Sequence, residues 1–427
     1  MKQTKSSTSN NFGKWGWSMI LYAAVSYYLA SALGADLLNF FPAQFEALRG
    51  WNSGVITTMA GLAGWVGVIG AIVFAQVIAK IGTRNMAVIS NIVTGVLVIL
   101  FANITSFTGF IILLFCIITI AGSVQVNLVP NNLMAMWFPK KKGIALGWAT
   151  MGMPICSATI VLLFSFLTKQ LGSISGAFTV FGIVIIVYGV ISFFWVKNSP
   201  ESVGCYPDNE VTSPEELEAN KRKLENHVSP WTFGKLLKCP STWGIGLGLG
   251  LLWMTTSGII SQLVPRLMTV ADGAYASYAI ATMSIAAVIG IFGSYMWGWL
   301  DQKFGTKFTC YLYGFWYVAA LIFMILQAYG AAFVWISVVM VGIGIGGIGN
   351  LIPSLITTSF GRYDFVQANK VIAPINTIVR CAGIILAGIF SQTVWGYTGL
   401  YILLIVMSLI GLLLIKFLVK DQGSSAQ

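Results

Sequence analysis

The feature that most constrains this chain is a series of apolar runs, each long enough to cross a bilayer as a helix. A hydrocarbon core about 30 Å thick requires about 20 mostly apolar residues per crossing. Only 9% of the 427 residues are charged, far below the roughly 25% of a soluble domain. The twelve runs lie at residues 15–38, 53–78, 87–104, 109–136, 143–167, 175–196, 242–264, 276–299, 308–329, 333–358, 371–394 and 399–418. This pattern excludes a water-soluble globule and predicts an all-α membrane protein with twelve spans.

The positions of the basic residues predict the orientation of these spans. If both termini are cytoplasmic, the cytoplasmic segments hold twenty of the 24 Lys and Arg residues. The opposite side holds Arg49, Lys169 and Arg266, and Arg380 lies inside a span. The positive-inside rule then predicts a multi-pass protein of a plasma or bacterial inner membrane, with both termini in the cytoplasm. Because topology accounts for the net charge of +11, we predict no nucleic-acid partner.

The residues that usually carry enzyme chemistry do not form a recognisable set. Six cysteines are scattered without a C-x-x-C pair, and the single histidine, His227, lies in a polar stretch, so we predict neither a metal site nor a catalytic triad. A G-x-G-x-x-G pattern begins at Gly344, but it lies in an apolar span without a preceding strand. We interpret it as close helix packing rather than nucleotide binding. The sequence therefore predicts no enzyme and no cofactor.

An internal duplication divides the chain into two halves. Asn-Leu-Val-Pro begins at Asn127 in span 4, and Asn-Leu-Ile-Pro begins at Asn350 in span 10, 223 positions later. The loops after spans 2 and 8 place Gly82 and Gly305 at the same offset. We predict two six-helix parallel pseudo-repeats around a central cavity.

A charged segment separates the halves. Residues 197–241 hold seven acidic and six basic residues and predict a cytoplasmic linker with a short helix near residues 213–226. The predicted organisation is an N-terminal half at 1–196, this linker, and a C-terminal half at 242–427.

A twelve-span, six-plus-six chain with a basic glycine loop after spans 2 and 8 resembles the major facilitator superfamily. The segments WFPKKKGIALG at residues 137–147 and PESVGCYPD at residues 200–208 resemble its oxalate/formate antiporter and monocarboxylate porter branch. The resemblance implies secondary active transport by alternating access. The family's loop motif has an Asp directly before its basic residue. This chain has Ala79 there in the first half, and in the second half Gln302, with Asp301 one place early.

Five loop residues are predicted to take part in gating. Gly82 and Gly305 permit a tight turn between spans, and Arg84 and Lys307 are expected to cap helix C-terminal ends across the gate. Asp301 is the acidic member of this set. Because Ala79 stands where the family has an Asp, the family's usual carboxylate contact at the cytoplasmic gate is not expected in the same form in the N-terminal half.

Arg380 is the most specific candidate for a binding residue. It lies near the middle of span 11, where a charge costs roughly 2.5–3.5 kcal/mol or more, and no Asp or Glu lies at mid-depth in any span. A guanidinium can bond both oxygens of a carboxylate, so the sequence predicts a small carboxylate substrate. In the resembling oxalate antiporter, basic residues on spans 8 and 11 serve a dianion. Span 8 has no such residue here, which favours a monocarboxylate, although helix carbonyls and water remain an alternative partner for Arg380.

Five further residues are candidates for substrate binding. Asn376 precedes Arg380 by one turn on the same face of span 11. Asn127 and Asn350 are repeat-equivalent amides that either bind substrate or hold neighbouring helices together. Tyr28 and Trp253 are candidates for an aromatic wall.

A salt bridge between Asp36, at the end of span 1, and Arg266, just past the end of span 7, is predicted as an outer gate. An unrelated local role for each residue remains equally open.

The sequence leaves several alternatives for function. The cargo is expected to be exchanged for another anion or to move with protons, and the protein is expected to be monomeric in the bilayer. A same-fold transporter of a neutral or cationic compound is the main rival, which Arg380 argues against. A non-transporting sensor is a weaker rival because the linker is too short for a signalling domain. A membrane-embedded enzyme would need catalytic groups at mid-depth, which the sequence lacks.

Overall fold

The computed structural model describes residues 10–210, 213–390 and 393–420, without the side chains of residues 214, 216 and 280. These residues form helices, and no strand occurs in the described ranges. The α-helices are α1 (Gly13–Gly34), α2 (Phe41–Arg49), α3 (Ser53–Asn103), α4 (Phe107–Ile120), α5 (Val129–Trp137), α6 (Lys142–Thr150), α7 (Gly152–Leu171), α8 (Ile174–Trp195), α9 (Pro214–Asn226), α10 (Phe233–Lys238), α11 (Pro240–Thr269), α12 (Ala279–Phe304), α13 (Thr306–Leu326), α14 (Ala331–Ile345), α15 (Ile348–Phe360), α16 (Phe365–Phe390) and α17 (Gly396–Leu418).

All twelve predicted spans correspond to helical segments. Eleven continuous helical stretches in the described ranges are long and apolar enough to cross a membrane, and one of them, α3, contains the second and third spans. The protein is therefore a multi-pass membrane protein. The predicted linker helix is confirmed as α9 (Pro214–Asn226).

The chain forms two compact units. The N-terminal unit comprises residues 12–137 and 155–227. The C-terminal unit comprises the described residues of the remainder, which include 138–154 and 228–420. The predicted boundaries at 1–196, 197–241 and 242–427 stay a prediction.

Polar caps begin several of the helices. The side chains of Asn52, Ser106, Ser173 and Thr232 each accept a hydrogen bond from the backbone N–H three residues later. Each cap satisfies one of the donors that a helix N-terminus leaves free. In a membrane protein this compensation allows an apolar span to start sharply next to a loop.

The duplication is visible in the backbone at the two glycine loops. Gly82 interrupts α3 with φ 82° and ψ 165°, and Gly305 separates α12 from α13 with φ 87° and ψ 151°. A residue with a Cβ is disfavoured at such positive φ angles. The prediction that both glycines permit a tight turn between spans is confirmed.

The equivalent span of each half is also interrupted at or just before its asparagine. In span 4, a π-helix at Ala121–Leu128 joins α4 to α5. In span 10, α14 ends at Ile345 and α15 begins at Ile348. The glycines of span 10 lie against large side chains, since a Cβ on Gly344 would stand 2.7 Å from the Tyr317 hydroxyl. The interpretation of this glycine run as close helix packing is confirmed.

Within the C-terminal unit, α6 packs against α12 through glycines. A Cβ on Gly298 would stand 2.7 Å from the Gly147 Cα, and a Cβ on Gly143 would stand 2.8 Å from the Gln302 backbone nitrogen. Helices approach this closely only where small residues face each other. This contact positions the start of α6 beside the end of α12.

Candidate functional site

Arg380 lies on α16 beside α11 in the C-terminal unit. Its guanidinium carbon is 4.6 Å from the centre of the Trp253 ring, and the Ser257 hydroxyl donates to the Arg380 carbonyl oxygen over 3.0 Å. Cations are attracted to the face of an indole ring, which is the strongest of the aromatic partners. Trp253 and Ser257 therefore fix the side chain and the backbone of Arg380 on one helix face.

No carboxylate of the described residues pairs with Arg380. The acidic side chains of the same unit have other surroundings: Asp301 is 3% exposed and Asp364 is 4% exposed, and the Ser354 hydroxyl donates to Asp301. Arg380 itself is only partly buried. The site therefore holds a positive charge next to an aromatic ring.

Asn376 lies one turn before Arg380 on α16 and is 1% exposed. Neither its Oδ1 nor its Nδ2 has a hydrogen-bond partner among the described residues. A Cβ on Gly250 of α11 would stand 3.4 Å from Oδ1, so the amide faces α11. Buried side-chain amides are normally satisfied, which makes this one a candidate ligand-binding group.

Asn350 is fully buried and holds three helices of the C-terminal unit together. Its Nδ2 donates to the Ser294 carbonyl of α12 over 2.7 Å, and its Oδ1 accepts from the Thr150 hydroxyl of α6. Of the two interpretations for this residue, the geometry supports the helix clasp. A substrate-binding role for Asn350 stays untested.

Asn127 takes a local role in the N-terminal unit. Its Nδ2 donates to the Gly122 carbonyl over 2.6 Å across the π-helix, and its own carbonyl accepts from the Asn131 amide over 3.0 Å. The side chain thus compensates for a carbonyl that the irregular helix turn displaces.

We expect Asn350→Leu to lower the free energy of unfolding by about 1–3 kcal/mol, because the Ser294 carbonyl and the Thr150 hydroxyl each lose a partner. The measurement is the midpoint of heat-induced unfolding of the detergent-purified protein. Asn226→Leu is the matched control, because the Asn226 amide is exposed and donates only to the Arg222 carbonyl of its own helix, α9. An unchanged midpoint combined with lost substrate binding would instead assign Asn350 to the binding site.

Asp36 ends span 1 in a small polar cluster of the N-terminal unit. Its Oδ2 accepts from the Ser31 hydroxyl over 2.7 Å and its Oδ1 accepts from the Ser157 hydroxyl over 2.9 Å. Nearby, the Tyr28 and Thr159 hydroxyls are 3.0 Å apart. Tyr28 therefore belongs to the surroundings of Asp36 within this unit, and its role in an aromatic wall stays a prediction.

Arg266 lies inside the last turn of α11, not past its end as expected. The helix continues to Thr269 because Pro265 is accommodated within it. The Arg266 guanidinium lies over the Tyr401 ring at 6.0 Å in the C-terminal unit. The predicted salt bridge between Asp36 and Arg266 stays a prediction.

The second glycine loop positions two charged gating candidates. The Lys307 ammonium donates to the Val419 carbonyl over 2.8 Å and to the Lys416 carbonyl over 3.3 Å, so it caps the C-terminal end of α17. Asp301 accepts from the Ser354 hydroxyl over 2.5 Å, and the Lys142 charge at the start of α6 acts on the same carboxylate.

Arg84 differs from its repeat mate Lys307. Its guanidinium lies over the Phe193 ring at 5.0 Å, and its Nε has no hydrogen-bond partner among the described residues. The expectation that Arg84 caps a helix end stays a prediction. The Phe193 ring on α8 offers the guanidinium a cation–π contact, and this neighbour could not be predicted from the position of Arg84 in the sequence.

The sequence interpretation missed a polar network inside the N-terminal unit. The Asn91 amide donates to the Tyr22 hydroxyl over 3.3 Å, and Gln125 donates to Asn91 over 2.8 Å. The Tyr22 and Ser192 hydroxyls are 2.9 Å apart. The sequence does show polar amides in the middle of apolar spans, which indicates buried polar contacts. It does not show which amides pair, because the pairing depends on which helix faces meet.

The fold defines a class, a multi-pass helical membrane protein with an internal duplication. The family model of the Major Facilitator Superfamily matches residues 12–384. The chain belongs to this superfamily, and it is a transporter by fold.

Solved structures confirm the fold. The proton:xylose symporter XylE, solved with 6-bromo-6-deoxy-D-glucose, matches with a TM-score of 0.71 and 14% identity over 96% of this chain and 97% of its own. The human organic anion transporter MFSD10 (TETRAN) matches with a TM-score of 0.71 and 11% identity over 94% of this chain and 99% of its own. A search of curated protein sequences finds no significant match. At such low identities these similarities establish the fold and leave the substrate class open.

Proposed function

We propose that the protein is a secondary active transporter of a small organic anion, a monocarboxylate, working by alternating access. The observation that supports this most is the Arg380 guanidinium, which contacts Trp253 at 4.6 Å and has no acidic partner among the described residues. A charge inside a span is costly unless a partner compensates for it. A carboxylate provides that partner, and a single cation suits a monoanion better than a dianion.

The two similar solved structures are named for different classes of cargo, so they do not decide which class this protein carries. One is named a proton:xylose symporter and the other an organic anion transporter. Arg380 favours the second kind of cargo over a neutral or cationic compound. We further propose anion exchange or proton-coupled symport as the driving process, and a place in the oxalate/formate antiporter and monocarboxylate porter branch.

Counterflow in proteoliposomes tests the proposal. Vesicles with the purified protein are loaded with unlabelled acetate or propanoate, and uptake of the labelled acid is measured with oxalate, xylose or a quaternary amine as competitors. We expect saturable uptake that an excess of unlabelled propanoate inhibits strongly, that oxalate inhibits weakly, and that xylose and the amine do not inhibit. Saturable xylose or amine uptake without carboxylate uptake would overturn the proposal in favour of the neutral or cationic alternative.

The proposed orientation, with both termini in the cytoplasm of a plasma or bacterial inner membrane, can be tested at Cys205. This partly exposed residue lies between α8 and α9. We expect a charged, membrane-impermeant maleimide to label it in inverted vesicles and not in intact cells. Cys205→Ser is the control that identifies the labelled site, and labelling in intact cells would reverse the orientation.

Labelling of Cys205 should also depend on pH in a defined way. Burial raises the pKa of the Cys205 thiol above its ordinary value of 9.0. Because the thiolate is the reactive form, the labelling rate at neutral pH should be below that of a free cysteine and should still rise above pH 9.0. A rate that levels off below that pH would contradict the expectation.

A further inference from the structure

The Asn376 amide is an unused hydrogen-bonding group inside the membrane-spanning part of the C-terminal unit. The residue is 1% exposed, and both its donor and its acceptor lack partners among the described residues. Another buried asparagine of this unit, Asn350, has a partner for each amide atom. An unpaired amide in a low-dielectric setting is unfavourable, so its retention calls for a partner that the protein alone does not supply.

The surroundings of Asn376 connect it to Arg380. Both residues lie on the face of α16 that packs against α11, because Gly250 faces Asn376 and Trp253 faces Arg380. Helix side chains lean toward the helix N-terminus, so the Arg380 side chain leans toward the turn that carries Asn376. The two groups thus lie one helical turn apart on the same face of α16, with the neutral amide preceding the cation.

Gly250 makes room for this arrangement. A Cβ at position 250 would stand 3.4 Å from the Asn376 Oδ1 and 3.1 Å from the Val379 Cβ. Contacts as short as the second force a neighbouring side chain to move. A side chain at this position would therefore press on the segment of α16 between Asn376 and Arg380.

We propose that Asn376 is a specificity-determining residue that binds a hydroxyl or oxo oxygen on the carbon chain of the carboxylate held by Arg380. This inference rests on the proposed function. The amide can donate from Nδ2 to an oxo oxygen, and it can both donate to and accept from a hydroxyl. An unsubstituted acid leaves the amide unpaired, so a site built around it discriminates against such acids.

The test measures uptake of a labelled monocarboxylate. Three unlabelled acids of equal chain length compete with it: propanoate, 2-hydroxypropanoate and 2-oxopropanoate. In the wild-type protein we expect an oxygen-substituted acid to inhibit at a concentration about tenfold lower than propanoate. Asn376→Leu, which keeps a similar volume, should bring this ratio close to one while propanoate uptake continues. Thr377→Val is the matched control, because the Thr377 hydroxyl bonds only to Ala373 of its own helix.

Two further variants keep the proposal testable if Asn376→Leu folds poorly. Asn376→Ser retains a hydroxyl and should keep part of the preference. Gly250→Ala leaves Asn376 in place but crowds it, and it should lower the preference for the substituted acids more than it lowers propanoate uptake.

The outcomes separate this inference from the proposed function. If all three acids inhibit equally and their uptake still requires Arg380, Asn376 has no role in specificity but the carboxylate transporter stands. If Asn376→Leu and Asn376→Ser weaken inhibition by all three acids equally, the residue has a structural role and the inference is overturned. If no carboxylate uptake depends on Arg380, the proposed function itself fails.

Discussion

Arg380→Gln is expected to abolish saturable carboxylate uptake while the protein remains folded. The substitution removes the charge but keeps a polar side chain next to Trp253. Because the proposed substrate carboxylate would then enter a low-dielectric site without a counter-charge, we expect the rate of uptake to fall by at least about a hundredfold. The measurement is the initial rate of counterflow at several substrate concentrations.

Arg380→Lys sharpens this experiment. It keeps the charge but loses the planar fork that bonds two carboxylate oxygens at once, so we expect only a small fraction of the wild-type rate. Arg222→Gln on the exposed linker helix is the matched control and should leave transport unchanged. Wild-type uptake by Arg380→Gln would end the carboxylate hypothesis.

Asp301→Asn is expected to lower the rate of exchange by about tenfold or more without preventing substrate binding. The Asp301 carboxylate accepts from Ser354 and interacts with the Lys142 charge at the start of α6. Neutralising it removes an electrostatic attraction between the start of α6 and the end of α12. Exchange rates and substrate-induced shifts of the unfolding temperature would be measured in parallel.

A double-mutant cycle isolates the role of this pair. If Asp301 and Lys142 act together, Asp301→Asn and Lys142→Gln should each impair exchange, and the double variant should be no worse than either alone. Glu218→Gln on the linker helix is the control for loss of an acidic charge. Fully additive effects of the two variants would show that the residues act independently.

The spans were predictable from the sequence, whereas most contacts within the site were not. The bilayer forces each span to be apolar and helical, so hydropathy alone located all twelve, and it also separated the two spans that α3 joins across Gly82. Arg380 was detectable for the same reason, because an intramembrane charge stands out against apolar neighbours.

The contacts depend on which helix faces meet, and a single sequence does not contain that information. The contact between Arg84 and Phe193 joins residues 109 positions apart. The isolation of Asn376 depends on a glycine in α11, and the clasp of Asn350 depends on Ser294 and Thr150, both of which lie in other helices. The positions of these polar residues in apolar spans indicate that their side chains face the protein interior. They do not indicate which partner each side chain has.

The irregular turns in spans 4 and 10 have a mechanical consequence. A π-turn holds one more residue than an α-turn, so moving that extra residue along the helix turns the segment it passes by about 100°. In span 4 such a shift would turn Asn127, which lies within the π-helix, relative to the rest of the span. Span 10 is also interrupted at the matching point, between Ile345 and Ile348, so in each half an irregular turn contains or directly precedes the asparagine.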